Sequence, residues 1–337
     1  QAVLSVAGQD MAVGDLRFLK TPAPFIAMMP QWDFLDFLKD EAAAFPAFRL
    51  RMKAGVERLS EEDGRIVGVA LAGGEELRAR KLVIAADGRS SIVRQENVLP
   101  LLNLGAPMDV LWFAIPKRDE AGGSLRGSVA TGSALITIDR GSYWQAATLL
   151  PKGRFEAVKA RGLPALLKQL EGLAPHLRPL DAVMTDWSQF SLLSVSLDRL
   201  ERWHRAGLLA IGDAAHAMSP IGGIGINLAI QDAVAAANLL AAPLTVAANV
   251  DSLLHRVEDR RGWPTRVIQW GQKLIQDRVI AAVLDTQQVI SRPPWPLRML
   301  NRYPLLRRIP GRILGLGIRR ERVTSPKAPV GSGHLTP

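Results

Sequence analysis

The stretch that most restricts what this chain can fold into is GLLAIGDAAHAMSPIGGIGINLAIQDAVAAANLL, residues 207–240. Leu208 to Ile211 is a short apolar run halted by Gly212 and Asp213, which reads as a buried parallel strand rather than a helix. Such a strand leaves the Asp213 carboxylate at its C-terminal end. In an open α/β sheet ligands lie at that edge, and an Asp there accepts hydrogen bonds from sugar or polyol hydroxyls. Pro220, Gly222, Gly223 and Gly225 follow, and then Ile226, Ile230, Ala233, Val234 and Ala237 recur at helical spacing. The helix therefore starts on bare backbone, where Gly223 and Gly225 admit a flat or anionic ligand to free N–H groups and to the positive end of the helix dipole. Either feature alone reads as a turn or as tight packing. Together they frame a polar ligand with hydroxyls on one side and an electron-rich edge on the other.

Several chemistries are excluded at once. Residues 223–228, GIGINL, carry Leu228 where a dinucleotide fingerprint needs its third glycine, and no Walker-type loop occurs. The chain has no cysteine, so disulfides, thiolate metal sites and cysteine nucleophiles are absent, and its five histidines, His176, His204, His216, His255 and His334, show no metal-ligand spacing. No metal is expected. Its 337 residues, 48% apolar and 22% charged, suit a globular protein of two domains. No apolar stretch is read as reaching the roughly 18 residues of a membrane-spanning helix. No signal segment follows Gln1, which points to a cytoplasmic protein, and QAVLSVAG reads as the inside of a sheet, so the chain is expected to begin within a longer protein.

Charge gathers at one end. Between Arg292 and Arg322 nine arginines face one acid, Glu321, which is +8 of the formal net charge of +10. Leu300, Leu305, Leu306, Ile309, Ile313, Leu314 and Leu316 are interleaved with them, as in a basic amphipathic segment. The plain expectation is a helix packed on the body by its apolar side; the alternative is peripheral contact of 292–322 with an anionic membrane or an acidic partner. Nucleic acid is not expected, since aromatics are few there and no recognition module is visible.

Along the rest of the chain, Trp32 to Ala44 has helical periodicity and Phe48 to Ala54 alternates like a strand. Glu57 to Asp87 reads as a β-meander punctuated at Asp63-Gly64 and Gly73-Gly74, ending in the apolar run Leu82 to Ala86, a second buried-strand candidate that also stops on a carboxylate, Asp87. Strands are expected at 110–115, 134–138 and 143–149, with a helix at 162–173. The fold class is α/β: a discontinuous Rossmann-like ligand-binding domain with an inserted mixed β-sheet domain and C-terminal helices. The boundaries read as 1–30, strands of the sheet domain; 31–104, helix, meander and Asp-Gly motif; 105–194, the inserted sheet domain; 195–245, the Gly-Asp motif; 246–323, a helical region broken by prolines 293, 294 and 296; and 324–337, a disordered tail.

At these two strand-end motifs the sequence resembles the FAD-dependent aromatic hydroxylases, the monooxygenases of the para-hydroxybenzoate hydroxylase fold. LVIAADGRSSIVR is similar to that family's Asp-Gly motif through Asp87, Gly88, Ser91 and Arg94, and GDAAHAMSPIGGIGINLAIQDA to its Gly-Asp motif through Gly212, Asp213, Pro220, Gly222, Gly223, Gly225, Asn227 and Asp232. The resemblance implies that FAD is the cofactor, with domains 31–104 and 195–245 binding it and 105–194 serving the substrate. It implies that Asp213 holds a ribitol hydroxyl and that the backbone from Gly225 through Ile226 to Asn227 faces the pyrimidine edge of the ring. It further places Pro220, Ile221 and Gly222 along the ring beside the substrate, and Asp87 and Arg94 near the pyrophosphate and the nicotinamide approach. Gln31 stands where the family usually has an arginine, so its flavin contact would be polar rather than ionic.

The implied reaction takes hydride from NADH or NADPH and, through a C4a-hydroperoxyflavin, inserts one atom of O₂ into a small organic substrate, aromatic or quinone-like. A dehydrogenase or reductase of the same fold shares both motifs. The family's G-x-G-x-x-G unit, which binds the ADP half of FAD, would precede Gln1, so a third reading is a truncated remnant that does not hold FAD. His216 is expected to pack or hydrogen-bond locally rather than act as a base, and Asp232, inside the helix, to matter little to the cofactor. Tyr143 and Trp144 read equally as cavity lining or core. Trp112 to Pro116 departs from the flavin halogenase signature and is not read as one.

Overall fold

The computed structural model of the chain describes residues 2–6, 9–27, 29–117, 125–246, 249–285 and 294–327. Its helices are α1 (Gln31–Ala43), α2 (Ile92–Gln95), α3 (Phe155–Ala160), α4 (Leu163–Leu173), α5 (Gly225–Val246), α6 (Asp251–Ile275), α7 (Ala281–Leu284), α8 (Trp295–Arg302) and α9 (Arg308–Leu316). Two compact units divide the chain, and the helices after Val246 are shared between them rather than forming a region of their own.

The first unit comprises 1–27, 105–196 and 269–318. Its seven-stranded sheet runs in the order Phe190–Leu193, Met108–Pro116, Tyr143–Pro151, Ser133–Asp139, Arg126–Ala130, Ala2–Val6, Gln9–Gly14. All neighbours are antiparallel except Ala2–Val6, which lies parallel to Arg126–Ala130, so the sheet is mixed. α4 covers it because Leu163, Leu166, Leu167 and Leu170 recur every three or four residues and so share one face, buried against Leu111, Phe113, Leu135 and Trp144. Trp144 is therefore core, while Tyr143 is only partly buried.

The second unit comprises 28–104, 197–268 and 319–337. Its meander is Val56–Glu62, Arg65–Leu71 and Glu76–Arg78. Asp63 and Gly64 both adopt positive φ, 47° and 76°, the backbone of a two-residue hairpin whose twist matches the flanking strands. Leu208–Ala210 pairs in parallel with Val83–Ala85, in the register Leu208↔Val83 to Ala210↔Ala85. Leu208 and Ala210 enter a core with Trp203, Ile66 and Val93, whereas Leu209 and Ile211 enter another with Ala236, Leu240, Leu254 and Val257. Burial on both faces is why this strand is written as an unbroken apolar run.

Several expectations are corrected. Phe48 to Ala54 forms no strand, and Phe48, Leu50 and Met52 stay exposed; alternation makes a strand only where an edge is available to pair, and the meander starts at Val56. Pro296 starts α8 rather than breaking a helix, its missing N–H being harmless in a first turn; Pro293 lies outside the described residues. Of the tail, Thr324 and Ser325 are held, their N–H groups donating to Asn238 Oδ1 at 2.7 and 2.9 Å, while 328–337 lie outside the described residues. Finally, α5, with 22 residues and mean hydropathy 1.3 in its most apolar window, is long and apolar enough by composition to cross a membrane. Here its inner face, Leu228, Asp232, Ala235, Ala236 and Leu240, is buried in the unit.

Candidate functional site

The parallel pair sets the site. Ile211 N–H continues the ladder to Ala85 O at 3.0 Å, so the two strands end side by side and carry Asp87 and Asp213 to one edge of the second unit. Gly212 turns the chain with φ of 59°, and a side chain there would meet Ala229 Cβ at 3.0 Å, so this glycine is required by backbone and packing together. The chain then returns through Pro220 to Gly223, a turn closed by Gly223 N–H to Pro220 O at 3.0 Å with positive φ at Gly222 and Gly223. α5 starts at Gly225, which leaves the N–H groups of Gly225, Ile226 and Asn227 without intrahelical acceptors.

Gly225 is not demanded by the fold. A Cβ built there would lie 3.9 Å from Asp213 Oδ1 and 3.8 Å from Met218 Cβ, both ordinary contacts, and one at Gly223 would meet nothing within 4 Å. The carboxylate and the helix N-terminus thus share one open surface that any side chain would occupy. Asp213 is paired there with Arg89: Nε donates to Asp213 Oδ2 at 3.1 Å and Nη2 to Met218 O at 3.3 Å, and both side chains are partly exposed. Arg89 Nη1 is buried and has no acceptor among the described residues. A free donor, a hydroxyl-accepting carboxylate and bare helix amides are the groups that the ribityl chain and pyrimidine edge of a flavin require, so the residues present fit FAD.

The other expected residues fall at different distances from this surface. Asp87 Oδ2 accepts Ile92 N–H at 3.0 Å, and Ser91 Oγ accepts Val93 N–H at 3.3 Å, so Asp87 fixes the start of α2 instead of standing free. Arg94 is buried: Nη2 lies 2.7 Å from Asp198 Oδ1, and Nε donates to Ala214 O at 2.9 Å. It braces the backbone one residue beyond Asp213. Pro220 and Ile221 are half-buried and Gly222 exposed at the turn. Gln31 is exposed at the first position of α1.

Beneath the turn lies a charged network. Asp232 is fully buried and accepts from three donors: Gly212 N–H at 3.1 Å and His216 Nε2 at 2.6 Å on Oδ2, and Arg261 Nε at 2.9 Å on Oδ1. Burial is the largest influence on Asp232 and opposes ionisation, yet His216 and Arg261 outweigh it and hold the carboxyl below its usual range. An ionised Asp232 can only accept, so the proton between them sits on His216 Nε2. Arg261 Nη1 donates to Arg319 O at 3.0 Å, and Arg260 grips Glu321 through Nε at 2.7 Å and Nη2 at 3.0 Å. Asn238 accepts from Thr324 and Ser325 and donates Nδ2–H to Arg322 O at 2.7 Å, strapping 319–325 across α5 and α6. Although it lies inside the helix, Asp232 reaches the frame of the site: its carboxylate accepts the Gly212 amide, next to Asp213. His216 is buried without exposure and serves this network.

Arg89, Arg261, Asp198 and Glu321 escaped the sequence reading. Arg89 directly follows the Asp-Gly pair, and that adjacency was the available signal; the rest act from far along the chain. An apolar groove of about 350 Å³ in this unit, bounded by Phe34 and Leu38 of α1 and Ile230, Ala233 and Val234 of α5, offers no titratable side chain.

Comparison with known proteins agrees with this geometry. The model of a family described as FAD binding domain matches residues 4–271. A 6-methylpretetramide 4-monooxygenase of Streptomyces rimosus is 32% identical over 312 residues, covering 89% of this chain and 74% of that protein. Among solved structures, PqsL of Pseudomonas aeruginosa, described as a probable FAD-dependent monooxygenase, superposes with TM-score 0.67 at 21% identity over 85% of this chain and 79% of its own. CabE, an aromatic hydroxylase from angucycline biosynthesis, superposes with TM-score 0.68 at 20% identity over 95% of this chain and 63% of its own. At those identities the structures speak for the fold alone.

Proposed function

Since the chain belongs to the FAD-binding aromatic hydroxylase family and is an enzyme of the FAD-dependent monooxygenase class, we propose that it uses NADH or NADPH and O₂ to hydroxylate a small organic substrate, aromatic or quinone-like. The observation that carries this reading is the shared surface of Asp213 and the α5 N-terminus, with Gly225 only 3.9 Å, by its missing Cβ, from Asp213 Oδ1. Bound there, FAD supplies hydride acceptance and O₂ activation. Asp213 would accept a ribityl hydroxyl. Arg89 would turn its free Nη1–H toward a cofactor oxygen. The amides of Gly225, Ile226 and Asn227, at the positive end of α5, would stabilise negative charge on the pyrimidine edge of the reduced ring. Pro220, Ile221 and Gly222 would border the ring on the substrate side, where the small turn leaves room for oxygen and keeps water out. Asp87 and Arg94 would act by holding α2 and the Ala214 carbonyl in place, and Gln31 would offer a polar contact.

The test is oxygen accounting in the FAD-loaded protein. NADH or NADPH oxidation should consume O₂, yielding peroxide without substrate and, with a phenol or quinol that stimulates turnover, a product containing one atom from labelled O₂. Turnover that runs anaerobically with an artificial acceptor, with no label in any product, would establish a dehydrogenase instead.

A further inference from the structure

The basic C-terminal helices divide their apolar side chains: Leu300, Leu306, Leu314 and Leu316 are partly buried, as expected of a helix packed on the body, whereas a second set faces outward. α8 and α9 lie on the strand Gln9–Gly14 and the residues after it, within the first unit. Ala12 N–H meets Asn301 Oδ1 and Asp15 N–H meets Arg307 O, each at 3.3 Å. α9 approaches the body closely at its glycines, beside the partly buried Pro310, Leu314 and Leu316: a Cβ at Gly311 would fall 2.0 Å from Asp15 O, and one at Gly315 2.6 Å from Leu19 Cδ1. This close approach turns Arg308, Ile309, Arg312 and Ile313 to solvent. α8 does the same with Trp295, Arg298, Met299 and Arg302, at helical spacing of three and four. Trp295 is 65% exposed, Leu305 68%, Ile309 60% and Tyr303 55%.

From Pro294 to Arg320 there is no Asp or Glu. Arg307 is engaged with the carbonyls of Leu300 and Asn301, and Arg308 lies 5.4 Å over the Phe18 ring. Arg298, Arg302 and Arg312 meet no carboxylate among the described residues. We propose that this face, Trp295 to Ile313, docks peripherally on an anionic lipid surface. Its uniform positive charge opposes pairing with a second copy of itself. Trp and Tyr at the edge of an apolar strip, flanked by arginines, match the headgroup layer of a membrane, where the rings sit among headgroups, the aliphatic tips reach the acyl boundary and the guanidinium groups pair with phosphate. Two helices of eight and nine residues cannot span a bilayer, so the contact is superficial.

The experiment is cosedimentation of the FAD-loaded protein with vesicles of phosphatidylcholine, alone or mixed with phosphatidylglycerol. Binding is expected only to the anionic vesicles, and it should disappear near 1 M salt, where the Debye length is about 3 Å. Each of Arg298→Gln, Arg302→Gln and Arg312→Gln should weaken it about fivefold. Trp295→Ser with Leu305→Ser should weaken it at least about tenfold. Because these side chains are exposed, flavin absorbance and melting temperature should not change. The proposal fails if anionic vesicles are not bound, if the Trp295→Ser/Leu305→Ser protein binds as well as the parent, or if soluble polyglutamate binds as tightly as vesicles, which would mark an acidic protein partner. It fails equally if lipid-free protein dimerises through this face, seen as a dimer in sedimentation that the double substitution dissolves.

Discussion

Arg261→Met tests whether the buried network holds the flavin-side turn. Arg261 and Asp232 are both fully buried, and their pair spans 2.9 Å between Nε and Oδ1. Removing the guanidinium leaves Asp232 with only the Gly212 amide and His216, and removes the link to Arg319 O. Breaking one partner of such a pair costs about 3–5 kcal/mol. Asp232→Asn should cost a similar amount or somewhat less, because it takes the close carboxylate from Arg261 and leaves that guanidinium Glu321 at 3.5 Å and the Arg319 carbonyl. At about 2–4 °C per kcal/mol for a unit of this size, each single variant should melt about 6–20 °C below the parent. The combined Asp232→Asn/Arg261→Met variant removes both charges of the pair, and buried Glu321, which lies 3.5 Å from Arg261 Nη1, keeps Arg260, so the loss should fall short of the sum by about 2 kcal/mol or more, within the range found for coupled neighbours. Urea denaturation of all four proteins gives the cycle, and FAD titration of the same samples reports the site. FAD should bind more weakly to each single variant under conditions where it is still folded, because the Gly212 amide that orients Asp213 has lost a fixed acceptor. Additive stabilities within about 0.5 kcal/mol, together with unchanged FAD affinity, would refute the reasoning.

Gly225→Ala should leave the melting temperature equal or higher and yet weaken FAD binding, whereas Gly212→Ala, strained at φ 59° and crowded by Ala229, should lower stability by about 1 kcal/mol or more; thermal melts beside flavin titrations separate the two. Asp213→Ala should raise the dissociation constant of FAD by about 1.5–3 kcal/mol in free-energy terms, the range for hydrogen bonds to a charged acceptor, and an unchanged affinity would remove it from the site. Asp232 is held below its unfolded pKa, so its contribution to stability is complete above that value, near pH 4, and is lost as pH falls through the lower folded value; Asp232→Asn should therefore flatten the acid limb of stability measured by urea midpoints from pH 7 to pH 3.

What the chain determines locally could be read from its letters. The parallel strand at Leu208, the glycine turn, α5, the meander with its Asp63-Gly64 hairpin and the stripe of leucines in α4 each depend on residues a few places apart, whose period and punctuation are visible in the sequence. The two strand-end carboxylates were legible for the same reason. Tertiary structure decided what those carboxylates do. Asp87 caps α2 because the chain folds back five residues later, while Asp213 meets Arg89 across 124 positions and Asp232 meets Arg261 across 29. No periodicity encodes which of several arginines will arrive, since the choice is made by packing after distant segments have come together. The outward turn of Ile309 and Ile313 has the same origin: amphipathic spacing marks an apolar stripe but not the side it takes. Only the approach of the Asp15 backbone to Gly311, too close for any larger side chain, puts that glycine inside and the isoleucines out.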